Sequence, residues 1–147
     1  VLEREVPASA EALWRGWTDP ALLKQWFCPL PWRTTEAEID LRPGGAFRTV
    51  MEGPNGERQA EEAGCYLDIQ PGRRLVWTDS LGPGYRPRNN GFMTVFVTFE
   101  PLQGGRTMYR VVVTHATPEG RQQHADMGFE QGWGTALDQL VALVGKD

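Results

Sequence analysis

Cysteine is scarce in this chain of 147 residues: Cys28 and Cys65 are the only two. Neither belongs to a CxxC pair or stands at metal-ligand spacing from a histidine. That excludes a disulfide scaffold and a zinc ribbon, and it implies reduced thiols in a cytoplasmic protein with no bound metal or cofactor. Long apolar runs are missing too. None approaches the roughly 20 residues that a helix needs to span a bilayer, so no membrane span is expected. The opening residues through Ser9 have neither the charged cap nor the apolar core of a signal peptide. Charge of one sign is not concentrated anywhere: 15 Lys and Arg against 19 Asp and Glu give a formal −4, with both signs scattered. A nucleic-acid partner would require a basic face, so none is expected. Ser9 and Ser80 lie in no nucleophile elbow, and no helix follows Gly44-Gly45 to form a phosphate cradle.

What is present is a mixed apolar pattern, with 40% hydrophobic residues, 6 Trp and 17 Gly. This fits one domain over residues 1–147 with a core large enough to fold alone. Val1 to Val6 reads as a strand ended by Pro7. Ser9 then offers an N-cap for a helix carrying Ala12, Leu13 and Trp17 as far as Thr18. Asp19-Pro20 opens a second helix whose apolar residues, Leu22, Leu23, Trp26 and Phe27, stop before Pro29 and Pro31. From Arg33 to His115 the period becomes two, with turn signals at Pro43-Gly44-Gly45, Pro54-Asn55-Gly56, Pro71-Gly72 and Gly104-Gly105. Short turns between alternating runs predict an antiparallel meander of about six strands beyond the first.

Alternation assigns the faces of that sheet. Phe47, Thr49 and Met51 share the inner side with Leu75, Trp77, Met93, Val95, Val97, Phe99, Tyr109, Val111, Val113 and His115. Arg48, Arg74, Thr98, Arg110 and Thr114 take the opposite, solvent side. An apolar face needs one cover, and the stretch from His124 to Val144 is expected to supply it as a single helix of about 30 Å. Phe129, Trp133, Leu137, Leu140 and Val144 form its apolar stripe. Beside them Gly128, Gly132 and Ala136 form a ridge of small residues. A helical glycine costs about 1 kcal/mol relative to alanine, so this ridge marks either tight packing on the sheet or room left for a ligand.

The order of strand, two short helices, meander and long terminal helix resembles the helix-grip fold of the START and Bet v 1-like (SRPBCC) superfamily. The motifs are similar to those of the family related to the C-terminal domain of the activator of the Hsp90 ATPase. They are Ala12-Leu13-Trp14 with Thr18-Asp19-Pro20 and Trp26, then Asp40 to Gly45, Gly64 to Pro71, Arg74 to Thr78, and Gly132-Trp133 with Leu137 to Leu140. They run in family order over nearly the whole chain. The resemblance implies an α+β fold with a hydrophobic cavity under the last helix, in a superfamily whose members bind lipids, sterols, polyketides and other apolar molecules. The eukaryotic activators carry a further N-terminal domain for which this chain has no room, so direct Hsp90 activation is not expected.

Catalytic groups are sparse. His115 points inward at a strand end and His124 follows nine residues later; a converging imidazole pair would bind an anion or polarise a carbonyl. Without a partner carboxylate in view, His115 is the one weak catalytic candidate, and an enzyme is not the favoured reading. Glu61 and Glu62 are adjacent in a strand and face opposite sides. Glu36, Glu38 and Asp40 form a solvated row, while Asp79 at a strand end has Arg86 or Arg88 as prospective partners. The loop from Gly82 to Gly91 is long for a hairpin, and its Tyr85 is a candidate to close over a cavity mouth. The expected function is binding of an apolar or aromatic small molecule against Phe47, Met51, Tyr66, Trp77, Val97, Phe129 and Trp133, with Tyr109, His115 and Tyr66 orienting a polar end. Inward placement of Tyr66 depends on whether Gly64 marks a bulge. The alternatives are a protein-interaction or chaperone-associated module with a filled interior, and an enzyme using His115. Dimerisation through a strand edge or a tryptophan rim is left open by the sequence.

Overall fold

The computed structural model describes residues 1–60, 63–87, 91–115 and 117–144. Glu61, Glu62 and Arg88 lie outside the described residues. The chain begins with strand β1 (Leu2–Val6) and helices α1 (Ala10–Thr18) and α2 (Pro20–Leu23). Strands β2 (Arg33–Ile39), β3 (Ala46–Glu52), β4 (Arg58–Ala60), β5 (Gly64–Gln70) and β6 (Arg74–Thr78) follow. A small ladder of β7 (Leu81–Gly82) with β8 (Arg86–Pro87) precedes β9 (Met93–Pro101), β10 (Thr107–His115), α3 (Pro118–Asp126) and α4 (Phe129–Val144).

The antiparallel sheet runs β1-β10-β9-β6-β5-β3-β2, with the short β4 pairing on β3. These seven strands curl into a half-barrel around α4, an α+β helix-grip architecture. Local chemistry sets the first helices. The Ser9 hydroxyl accepts from Ala12 N at 3.1 Å, and the Asp19 carboxylate accepts from Ala21 N at 2.9 Å ahead of Pro20. These are side-chain N-caps that satisfy otherwise orphaned donors. The second helix is shorter than its apolar spacing suggests. After Leu23 the chain tightens into turns, where Trp26 N donates to Leu23 O, and the Trp26 indole reaches back to Gly16 O at 2.9 Å.

The largest departure from the sequence reading concerns the terminal helix. It is two helices, because Gly128 takes φ +90° and ends α3, with Met127 N donating to Gln123 O and Gly128 N to Ala125 O. A left-handed residue at a helix C-terminus is a capping position that glycine fills without a Cβ penalty. Gly128 therefore belongs to a junction and not to a helical ridge. The bulge of β5 also falls elsewhere: the register slips between Tyr66 and Asp68, past Gly64. Tyr66 consequently pairs with Trp77 on the inner face, and Ile69 returns to that face opposite Leu75. Gly64 has a separate cause, since a Cβ there would meet the Thr78 carbonyl oxygen at 2.5 Å.

Inner-face residues Phe47, Leu75, Val95, Val97 and Phe99 pack with Leu13, Trp17 and Trp26 from the N-terminal helices and Leu137, Leu140 and Val144 from α4. The cover is thus shared between α1 and α4, where the terminal helix alone was expected. Each such side chain contributes about 1.5–3 kcal/mol by leaving water. On the outer face Arg74 pairs with Asp68 at 3.6 Å and Arg110 with Glu3 at 3.5 Å. These pairs are exposed and stabilise weakly.

Candidate functional site

A pocket of about 360 Å³ opens between the first turns of α4 and the inner face of the sheet. Its apolar walls are Phe47 and Met51 of β3, Trp77 of β6, Phe129 and Trp133 of α4, and Phe27 from the turn after α2. The walls are braced by ring contacts. Phe47 lies 4.5 Å from Trp77 and 5.7 Å from Phe27, and Phe129 lies 6.2 Å from Trp133. Trp133 in turn stacks on the buried Trp17 at 6.4 Å. Such contacts hold large rings in one arrangement, so the space between them does not simply close.

Gly132 is the residue that leaves this space on the helix side. It borders the pocket, and a Cβ added there would touch only Pro29 Cγ, at 3.8 Å. The close helix approach lies elsewhere, at Gly16 of α1, where a Cβ would overlap Leu140 Cδ1. Segment 26–30 is tied to α4 through Gln139. Its amide donates to Trp26 O and Cys28 O, both at 2.9 Å, and its carbonyl accepts from Leu30 N at 3.1 Å.

Of the residues singled out in the sequence, Phe47, Met51, Trp77, Phe129 and Trp133 surround one space. Tyr66, Val97 and Tyr109 are fully buried in the packed core behind it. The Tyr109 hydroxyl accepts from Trp17 Nε1 at 3.1 Å, and burial raises the pKa of both phenols. For Tyr66 the Asp40 carboxylate adds to that rise. Both therefore stay protonated at neutral pH. The Tyr66 hydroxyl and the Trp77 Nε1 are buried without a hydrogen-bond partner among the described residues. Tyr85 is not a pocket residue; its ring lies over Gly44, where a Cβ would come within 2.9 Å.

His115 does not border the pocket, but its Nε2 lies 2.8 Å from Nδ1 of His124, which does. The two strand and helix ends thus converge as an imidazole pair. Burial lowers the pKa of both rings, reinforced at His124 by His115 and at His115 by Arg121, with Asp79 acting in the opposite sense. Both are neutral at physiological pH. The Asp79 carboxylate accepts from Phe92 N at 2.7 Å and Met93 N at 2.9 Å, which fixes the loop entering β9. Cys28 also borders the pocket. Burial raises its pKa, against a hydrogen bond from Thr34 that lowers it, so the thiol is protonated and a poor nucleophile. Among the described residues no group of three or more His, Cys, Asp or Glu is placed to hold a metal ion.

Several pocket residues carried no site assignment from the sequence. Thr49 and Met93 had the inward parity that would have found them. Phe92, Met127 and Pro29 lie in connections whose path no periodicity specifies. No helix among the described residues is long and apolar enough to cross a membrane.

The model of the family described as Activator of Hsp90 ATPase homolog 1-like protein matches residues 7–145. Among solved structures, a protein from Nitrosomonas europaea is 41% identical with a TM-score of 0.93, over 99% of this chain and 92% of that one. A Chromobacterium violaceum protein is 29% identical with a TM-score of 0.78, covering 99% of this chain and 96% of its own. One from Mycobacterium smegmatis is 28% identical with a TM-score of 0.77, over 97% and 87%. No curated protein matches. The family match over almost the entire chain, together with the curled sheet gripping α4, means that the chain belongs to the Activator of Hsp90 ATPase homolog 1-like family.

Proposed function

We propose that the protein binds a small apolar or aromatic molecule in the pocket beneath α4. The observation that carries this reading is the space itself: about 360 Å³, walled by Phe47, Trp77, Phe129 and Trp133, with Arg48, Thr49, Gln59, Asp79 and His124 as the polar side chains of its lining. Small-molecule sites are of this kind, concave and mainly apolar with volumes of roughly 300–1,000 Å³. Binding is driven by apolar burial at about 25 cal/mol per Å². An interaction module would gain nothing from an unfilled interior, so the pocket weighs against that alternative. Cys28 and Cys65, both free and buried, suit a reducing, cytoplasmic setting.

Tryptophan fluorescence and thermal shift against fatty acids, sterols, flavonoids and polyketides test the reading. Saturable binding is expected with at least one class, and its loss in Trp133→Ala. A folded protein that responds to none of them would sink the ligand-binding reading and turn attention to a protein partner.

A further inference from the structure

The chain has two histidines, and they meet at the wall of the pocket. His124 on α3 borders the pocket, and His115, the last residue of β10, stands behind it. Phe92 and Phe129 flank His124, with ring centroids 5.1 and 4.9 Å away, so packing as well as the mutual hydrogen bond orients the rings. One proton serves the bond between Nε2 of His115 and Nδ1 of His124. Which ring supplies it decides what the pocket meets.

His115 Nδ1 is buried and has no hydrogen-bond partner among the described residues. A proton there would be an enclosed N–H without an acceptor, the rarer and costlier kind of orphan; a bare lone pair is the milder defect. The His115 proton therefore belongs on Nε2, from which it is donated to His124 Nδ1. With Nδ1 acting as acceptor, a neutral His124 ring must carry its own proton on Nε2. The charged groups facing the pair are the Asp79 carboxylate, the Arg121 guanidinium and the Val1 ammonium. Burial, the largest influence, and the two cations oppose protonation of His115 against the pull of Asp79, and burial likewise lowers His124, which keeps both rings neutral.

We infer that His124 presents a fixed Nε2–H donor to one end of the pocket, that His115 is the residue positioning it, and that the ligand is an apolar ring-bearing molecule with a carbonyl, carboxylate or phenolate oxygen at one end. This rests on the binding reading above and narrows it to a chemical class. Trp77, Phe47 and Trp133 contact the apolar body, and the His124 donor orients the oxygen-bearing end; Arg48, Thr49 and Gln59 are further donor-bearing side chains of the lining.

Two measurements test it. Long-range 1H–15N correlation of the histidine rings at neutral pH reads the tautomers directly, and the expected result is Nε2–H for both. An Nδ1–H tautomer at either ring overturns the assignment. The second measurement compares 2-acetylnaphthalene with 2-ethylnaphthalene, probes of similar shape that differ by one carbonyl oxygen. The ratio of their affinities is expected to fall about three- to ten-fold in His124→Phe, the worth of one net hydrogen bond. It should fall similarly in His115→Phe and recover in His115→Gln, whose amide N–H replaces the imidazole donor. An affinity ratio equal in wild type and His124→Phe overturns the donor while leaving the pocket reading intact; binding of neither probe overturns both.

Discussion

Alanine at two glycines separates room from close packing. Gly132 and Gly16 both lie within helices, and each costs about 1 kcal/mol relative to alanine there. At Gly132 the added methyl meets only Pro29 Cγ, at 3.8 Å, an ordinary contact. Gly132→Ala should therefore stabilise the protein by about 0.5–1 kcal/mol, a rise in melting temperature of about 2–4 °C for a chain of this size. At Gly16 the same methyl overlaps Leu140 Cδ1 and also meets Val144 Cγ1 at 3.5 Å and Trp26 Nε1 at 3.6 Å. Leu140 and Trp26 are buried, so neither can swing into solvent. Overpacking costs about 1–3 kcal/mol, which outweighs the helical gain, and Gly16→Ala should lose about 1–2 kcal/mol. Urea denaturation of both variants gives the two values. Gly132→Ala destabilising the fold by more than about 1 kcal/mol would mean that the glycine serves close packing and would refute the reasoning. Gly132→Leu extends the test to function: the protein should fold, and probe binding in the pocket should disappear.

A second contrast lies in the two buried tyrosines. Tyr109→Phe strands the Trp17 indole N–H in the core and should cost about 1–3 kcal/mol, whereas Tyr66→Phe removes a hydroxyl with no described partner and should be neutral or stabilising by up to about 1 kcal/mol. Equal losses by denaturation would contradict that difference. The histidine pair predicts a pH dependence. Both folded values lie below 6.5, so on acidification the unfolded chain binds protons first. The contribution is fully present above about pH 6.5, is lost as the pH falls toward the folded values, and levels off below them. Urea midpoints of wild type should drop through this window more than those of a His115→Phe, His124→Phe double variant; the same slope in both would remove the histidines as the cause.

Much of the fold was legible from local pattern. Ser9 and Asp19 as N-caps, the alternation of Phe47 to Met51 and Met93 to Phe99, and the glycine-bearing turns each depend on a few neighbouring residues, so sequence specifies them directly. The terminal helix was misread because Phe129 to Val144 has helical spacing that also extends back to His124, and periodicity does not reveal a left-handed Gly128. The slip at Leu67 was likewise hidden, since a bulge is settled by which partner strand the residue meets.

Periodicity by itself determined a one-sided sheet and its apolar face, and the motifs from Ala12 to Leu140 carried the resemblance to the family. Periodicity also fixed which aromatic residues could meet, because parity on a strand and stripe on a helix are local properties. Only the tertiary structure decided that Tyr66, Val97 and Tyr109 lie in solid core while Phe47, Met51, Trp77, Phe129 and Trp133 enclose a space. It alone joined His115 to His124. A pocket is the difference between two surfaces whose separation is set by contacts distant in sequence, such as Gly16 on Leu140 and Gln139 on segment 26–30, and no local pattern encodes that distance.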